Sequence, residues 1–221
     1  MTVAKELALL VSGGSGSVLA ARFAVAALES GQIDALHLVV TGAASKVIAH
    51  EMGSEWASAR AIRDRLALND DLRGRIHPYS DSDLEAPIAS GSHRLHGVVV
   101  LPCSAGMAGS LANGISRGLA QRVADVALKQ RWPLLIGIRE TPMSIILLEN
   151  LLRLARAGAT SCRRCPRSIS SPTKRPPRRS LSNITACACS ISLASLLRVT
   201  AFDGKADGPA RGGPHRSSRN G

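Results

Sequence analysis

A chain of 221 residues with 45% hydrophobic content has enough apolar mass for one good core, and its formal charge of +12 invites a nucleic-acid partner. The charge is unevenly spread, however: residues 1–160 carry 16 Lys/Arg against 14 Asp/Glu, and residues 161–221 carry 12 against 2. The basic balance therefore says little about what the first 160 residues bind, and an aromatic content of 2% counts against base stacking there.

The first apolar run, Leu7–Val11, predicts a strand. Gly13 and Gly14 cut it short of a signal peptide, and no run approaches the ~18 apolar residues of a membrane span. A soluble cytoplasmic protein with reduced thiols is expected. Ser17–Glu29, rich in Ala with Leu19, Phe23 and Leu28, predicts a helix that packs closely on a sheet. A strand at Leu36–Val40 and a helix from near Ala43 through Glu51 follow. Residues 56–96 are polar and irregular, and are read as a helix near Ser58–Leu68 and a loop-rich crossover. Val98–Leu101 predicts a strand leading into a Cys103-Ser104-Ala105-Gly106 turn, with a helix over Leu119–Arg131 and a strand at Leu134–Ile138. Ser144 then caps a helix over Ile145–Ala157 that stops at Gly158. Apolar strands without strict alternation, each followed by a helix, mean parallel strands covered on both faces: a three-layer α/β fold.

Beyond Thr160 this pattern ends. Residues 161–180 hold seven Lys/Arg, four Pro and two Cys. Such a stretch buries too little apolar surface to offset its ordering entropy. Two units are expected: a domain at 1–160, and a basic Ser/Pro/Arg/Cys-rich tail at 161–221, disordered or translated out of frame. Cys162-x-x-Cys165 and Cys187-x-Cys189 have zinc-like spacing, but no ordered pattern lies between them and a metal site is not expected.

In an open parallel sheet, ligands bind beyond the carboxyl ends of the strands. Those ends carry Ser12-Gly13-Gly14-Ser15-Gly16, Thr41-Gly42, Cys103-Ser104 and Arg139-Glu140. The glycine turn points backbone N–H groups and a helix N-terminus at an anion, or is a tight turn that binds nothing. It lacks both the G-x-G-x-x-G spacing of a dinucleotide site and the Gly-Lys-Ser/Thr of a triphosphate loop. Arg122, Asp125 and Lys129 share one side of a helix, either as phosphate ligands or as a solvated Asp125–Lys129 pair. Arg139 suits a phosphate and Glu140 proton transfer. Cys103, with no His in a convincing partner position, is read as a buried structural thiol. His93 and His96, with no acidic or thiol neighbour in sequence, are read as loop residues.

Together these segments resemble the flavin prenyltransferase (UbiX-like) family over about Leu7 to Thr160. The resemblance rests on Ser12–Gly16, Ala89-Ser90-Gly91-Ser92, Leu101-Pro102-Cys103-Ser104, the stretch Arg122–Leu134, and Arg139-Glu140-Thr141-Pro142. It implies a flavodoxin-like (Rossmann-like) subunit of a homo-oligomer, commonly a dodecamer. It implies that reduced FMN is the substrate modified and dimethylallyl monophosphate the prenyl donor, with no metal. The product, prenylated FMN, would serve a UbiD-type decarboxylase. By family pattern Gly13, Gly14, Ser15, Thr41, Ser104, Ala105, Gly106, Met107 and Arg139 hold FMN. Ser90, Gly91, Arg122 and Lys129 hold the prenyl phosphate, Glu140 with Ser15 moves protons, and Glu51 lines the pocket.

Met107 replaces the family's usual Thr or Ser, and Thr41 its usual Ser. After Thr160 the family continues with an apolar strand, a proline-rich turn containing a Tyr, and a final helix bringing another cation. Here Ser161-Cys162-Arg163-Arg164-Cys165-Pro166 follows instead, and the chain's only Tyr is Tyr79. Two other readings compete: an FMN-dependent decarboxylase of the same fold acting on a cysteine-derived carboxylate, and a non-enzymatic nucleic-acid-binding protein working through the basic tail.

Overall fold

The computed structural model describes residues 4–162. The leading strand β1 (Glu6–Val11) and the central β4 (Gly97–Cys103) lie side by side in a six-stranded parallel sheet. Outward from β1 come β2 (Ala35–Val40) and β3 (Ile76–Ser80); outward from β4 come β5 (Leu134–Ile138) and β6 (Thr160–Cys162). The resulting order is β3-β2-β1-β4-β5-β6. Leu7, Leu9 and Val11 face one helical layer while Ala8 and Leu10 face the other, so β1 is buried on both sides. This is the architecture expected from unbroken apolar runs.

One layer holds α1 (Val18–Glu29), α2 (Gly42–Met52) and α3 (Ala59–Arg65). After the single turn α4 (Asp70–Gly74), the chain forms β3 and crosses to the other layer, which holds α5 (Ala105–Ala112), α6 (Leu119–Gln130) and α7 (Ile145–Arg156). Leu119, Val123, Val126 and Ala127 are all fully buried, as the stripe on α6 predicts. Ser144 caps α7 by accepting the Leu147 N–H at 3.2 Å, and Gly158 takes φ +103° after its end. The same helix exposes Ile145, Ile146, Leu148 and Leu152 on its outer side. Among the described residues no helix is long and apolar enough to cross a membrane.

Several elements differ from the sequence expectation. The crossover contains a strand, β3, whose Ile-His-Pro-Tyr-Ser sequence hides the signal. Pro78 is tolerated there because β3 is an edge strand. β4 runs on through Pro102 to Cys103, taking up the proline at a register shift between Val100 and Cys103. The residues read as a turn after it begin helix α5, whose Gly106 and Gly109 weaken the helical pattern. α6 ends one residue early, at Gln130, with Arg131 left-handed at φ +57°. The sheet also passes Thr160: Thr160, Ser161 and Cys162 pair with Leu135, Ile136 and Gly137 of β5. β6 thus adds one short strand to the sheet that the sequence reading did not anticipate. The basic tail expected over 161–221, with Cys165, Cys187 and Cys189, lies from residue 163 onward outside the described residues.

Candidate functional site

Strand order reverses direction between β1 and β4, which opens a crevice at their carboxyl ends. Ser12 closes the base of that crevice. Its Oγ donates to the Pro102 carbonyl at 2.9 Å and accepts the Ser104 N–H at 2.8 Å, while its own N–H also reaches Pro102 O at 3.2 Å. The side chain is buried, so these contacts satisfy a hydroxyl that would otherwise be costly. Ser12 was missed as a structural residue because both partners lie some 90 positions away. Gly14 belongs to the same closure: a Cβ there would sit 3.3 Å from the Ser104 nitrogen.

The glycine turn then feeds α1 through Gly16 at φ +94°, a conformation L side chains rarely adopt. Two of its amides, those of Gly16 and Ser17 at the start of α1, are already engaged within the chain. Glu51, near the far end of α2, accepts the Gly16 N–H at 2.8 Å and the Ser17 N–H at 2.8 Å. The carboxylate occupies the positive end of α1 from within the chain. Arg139, leaving β5, lies over the same turn with its Nε 3.4 Å from the Ser15 carbonyl. A Cβ on Gly16 would come 3.0 Å from that Nε. Ser15, Glu51 and Arg139 are thus brought together from three elements. Glu140, next in sequence, is exposed, and so is the Ser15 side chain.

Beside this cluster is a cleft of about 780 Å³. Ser12, Gly13, Thr41, Ser104, Gly106 and Met107 line one part of it, and Ser80, Asp81, Ser82, Arg117, Gly118 and Gln121 another. Thr41 and Ser104 each cap a helix facing the cleft, accepting N–H groups from Ala44 at 3.1 Å and Met107 at 3.2 Å. As acceptors at α2 and α5 they place two further helix N-termini at the cleft. Ala105 and Gly106 are exposed in the first turn of α5, whereas Met107 is buried. The sequence reading overlooked Asp81, Arg117 and Gln121. Asp81 accepts the Ala120 N–H at 2.9 Å and starts α6, and Gln121 Oε1 accepts the Arg117 N–H at 2.7 Å. Asp81 and Arg117 sit in irregular stretches, and Gln121 on a predicted helix whose placement at the cleft local sequence does not show.

The remaining predicted residues lie elsewhere. Arg122 donates from Nε to the Ala89 carbonyl at 3.1 Å, and its NH1 is 3.8 Å from Asp125, which therefore faces Arg122 on the helix. Gly91 packs against Gln130, and Lys129 beside it is exposed. Because α6 starts at the cleft with Gly118, its Gln130 end is about 18 Å along the axis at 1.5 Å per residue. Gly91 and Lys129 thus lie at the end of α6 away from the cleft, whereas Arg122 stands in the first turn, next to the cleft-lining Gln121.

Cys103 is buried at the end of β4, and desolvation pushes its thiol up to about 12, as suits a structural cysteine. His93 corrects the sequence reading. It does have an acidic partner, Glu6, whose Oε2 is 2.8 Å from His93 Nε2. The pair spans 87 residues of sequence, so inspection of the local sequence could not find it.

Comparison with known proteins agrees with this fold. The flavoprotein family model matches residues 2–175. A flavin prenyltransferase UbiX from Alkalihalophilus pseudofirmus is 38% identical over 158 residues, covering 72% of this chain and 77% of the relative. The chain is also similar to a dodecameric FMN-dependent UbiX-like decarboxylase from Escherichia coli, with 28% identity, a TM-score of 0.67, and coverage of 94% of this chain and 100% of that one. AnUbiX (PadA1), solved with FMN and dimethylallyl pyrophosphate, gives 25% identity and a TM-score of 0.66 over 93% of this chain and 99% of its own.

Proposed function

The chain belongs to the flavin prenyltransferase family, and on that premise we propose that it joins a dimethylallyl group from dimethylallyl monophosphate to N5 and C6 of reduced FMN. The prenylated flavin passes to a UbiD-type decarboxylase of the kind used in ubiquinone biosynthesis, in the cytoplasm. One observation carries the reading: Arg139, Ser15 and Glu51 converge on the turn after β1, next to a cleft walled by the capped N-termini of α2 and α5.

The flavin fits between the glycine turn, Thr41 and Ser104–Met107. As the allylic C–O bond breaks, the departing phosphate gains negative charge, and fixed guanidinium and ammonium groups stabilise it without a metal. Arg139 supplies one such cation, with Arg122 and Lys129 supplying others. Ring closure at C6 releases the proton of that carbon, a task for the exposed Glu140 carboxylate with Ser15. Since Gly91 and Lys129 lie at the far end of α6, the prenyl-phosphate half of the site is completed by a neighbouring copy. The apolar outer side of α7 provides surface for that homo-oligomer.

The test is anaerobic incubation with reduced FMN and dimethylallyl monophosphate, followed by mass spectrometry for the prenylated flavin. Arg139→Ala should bind FMN about tenfold or more weakly by fluorescence quenching, the loss of a charge-assisted contact. A folded protein that leaves the flavin unmodified, yet releases carbon dioxide from a cysteine-derived carboxylate, would overturn the reading in favour of the decarboxylase.

A further inference from the structure

Toward the amino ends of the inner strands, opposite the cleft, three donor side chains meet that the prenyl-transfer reading does not use. Glu6 is the first residue of β1, His37 sits in the middle of β2, and His93 lies in the loop before β4. Both imidazole Nε2 atoms are 2.8 Å from the same Glu6 Oε2, and the three donor atoms all lie within 4.8 Å of one another. We propose that Glu6, His37 and His93 form a binding site for a divalent transition metal of the zinc class.

Two imidazoles and one carboxylate are a common zinc donor set that leaves a fourth position for water. Bonds of about 2.0–2.2 Å in a tetrahedron put neighbouring donors roughly 3.3–3.5 Å apart. The two spacings to Glu6, 2.8 Å each, fall about 0.5–0.7 Å short of that value, so moving the imidazoles outward by less than an ångström admits the ion. The site has a route to solvent: the Glu6 and His93 side chains are 24% and 31% exposed, while His37 is buried. It also has a supporting partner. The Tyr79 hydroxyl lies 3.2 Å from His37 Nδ1. With the metal on Nε2, the His37 proton moves to Nδ1 and is donated to the Tyr79 oxygen, which fixes tautomer and ring orientation. Without metal, Tyr79 donates to Nδ1 and Nε2–H donates to Glu6. The same hydroxyl serves both states.

Such an ion would clip β1, β2 and the loop before β4 at the amino ends of the strands. Its role would be structural and its absence should leave flavin chemistry in place. The competing account is a metal-free network in which Glu6 accepts both imidazole N–H groups, and the test decides between them.

The full chain, stripped of metal and then titrated with Co²⁺ and Zn²⁺, should bind one ion with the visible bands of a four- or five-coordinate cobalt site and no thiolate charge transfer. Glu6→Gln and His93→Ala should each weaken binding 10-fold or more, and Tyr79→Phe about tenfold. A variant with Cys162, Cys165, Cys187 and Cys189 all changed to Ser should bind as the parent does. Circular dichroism on each variant separates lost binding from lost fold. Thiolate bands, binding that vanishes in the Cys→Ser variant, or no binding by the folded parent at about 100-fold metal excess would overturn the proposal.

Discussion

The Ser12 hydroxyl is the joint between the loop after β1 and the loop after β4: it accepts the Ser104 N–H at 2.8 Å while donating to the Pro102 carbonyl at 2.9 Å. Ser104 in turn caps α5, so one buried oxygen sets the relative height of the two loops that form the base of the cleft. Ser12→Ala leaves the Ser104 N–H without its partner in a dry place. It should lower unfolding stability by about 1–3 kcal/mol, read from denaturant midpoints. FMN affinity should fall as well, because the Ser104–Met107 segment loses its anchor. Unchanged stability and unchanged affinity would show the joint to be incidental.

Cys103 should be inert. A thiol held at about 12 is ionised to only about one part in ten thousand at pH 8. Brief treatment with iodoacetamide, followed by peptide mapping, should leave Cys103 unmodified in the folded protein and label it fully in denaturant. Rapid labelling in the native state would contradict both the burial and the structural role.

Stability should fall on acidification, beginning below about pH 6.5. Burial lowers the His37 value below its usual 6.5, against the opposing pull of the Glu6 hydrogen bond. Burial would raise Glu6, but hydrogen bonds from His37 and His93 outweigh it and hold the carboxyl below 4.5. For both groups the unfolded chain binds protons more readily than the folded one. Unfolding free energy therefore rises with pH across each range and is lost as pH drops through it. Melting temperatures taken in chelator between pH 7.5 and 4 should show this slope. His37→Gln should flatten its upper part, and an identical slope in that variant would assign the effect elsewhere.

The composition change after Thr160 predicts a property of the gene. Inserting or removing one nucleotide near the codons for residues 160–162 should restore an apolar continuation of β6, a Tyr-containing proline turn and a C-terminal helix. The restored protein should melt higher and form prenylated flavin faster than the present chain, with FMN affinity less affected. Prenyl-phosphate recognition, by the family pattern, needs that Tyr and an added cation, and each contact to a developing anion is worth roughly 10²–10³ in rate. If neither alternative frame encodes these elements, the segment is native to the protein.

The four strands with near-continuous aliphatic runs were legible because burial on both faces demands such runs. β3 was not, since an edge strand tolerates Pro78 and needs only Ile76 at its core end. α5 was hidden by small residues, which pack well but carry no period. For the candidate site, each loop could be named from the sequence, but which loops touch could not. Arg139 reaches Ser15 across 124 positions, and Glu6 reaches His93 across 87. These contacts are products of strand order, which local sequence does not encode. The separation of Arg122 near the cleft from Lys129 at the far end of α6 was equally invisible, because helical spacing gives a face and not the end of the sheet each turn meets.

The Glu51 cap has a mechanical corollary. α2 carries Thr41 at one end and Glu51 close to the other, about 15 Å away for ten residues of helix. Glu51 grips the turn after β1, and Thr41 borders the same cleft, so α2 acts as a stiff rod pinned at both ends to parts of one binding surface. A ligand that nudges the turn pushes on Glu51, and a stiff helix passes that push along its axis toward Thr41. The two ends of a bound flavin would in this way sense one another through protein, without touching a common side chain.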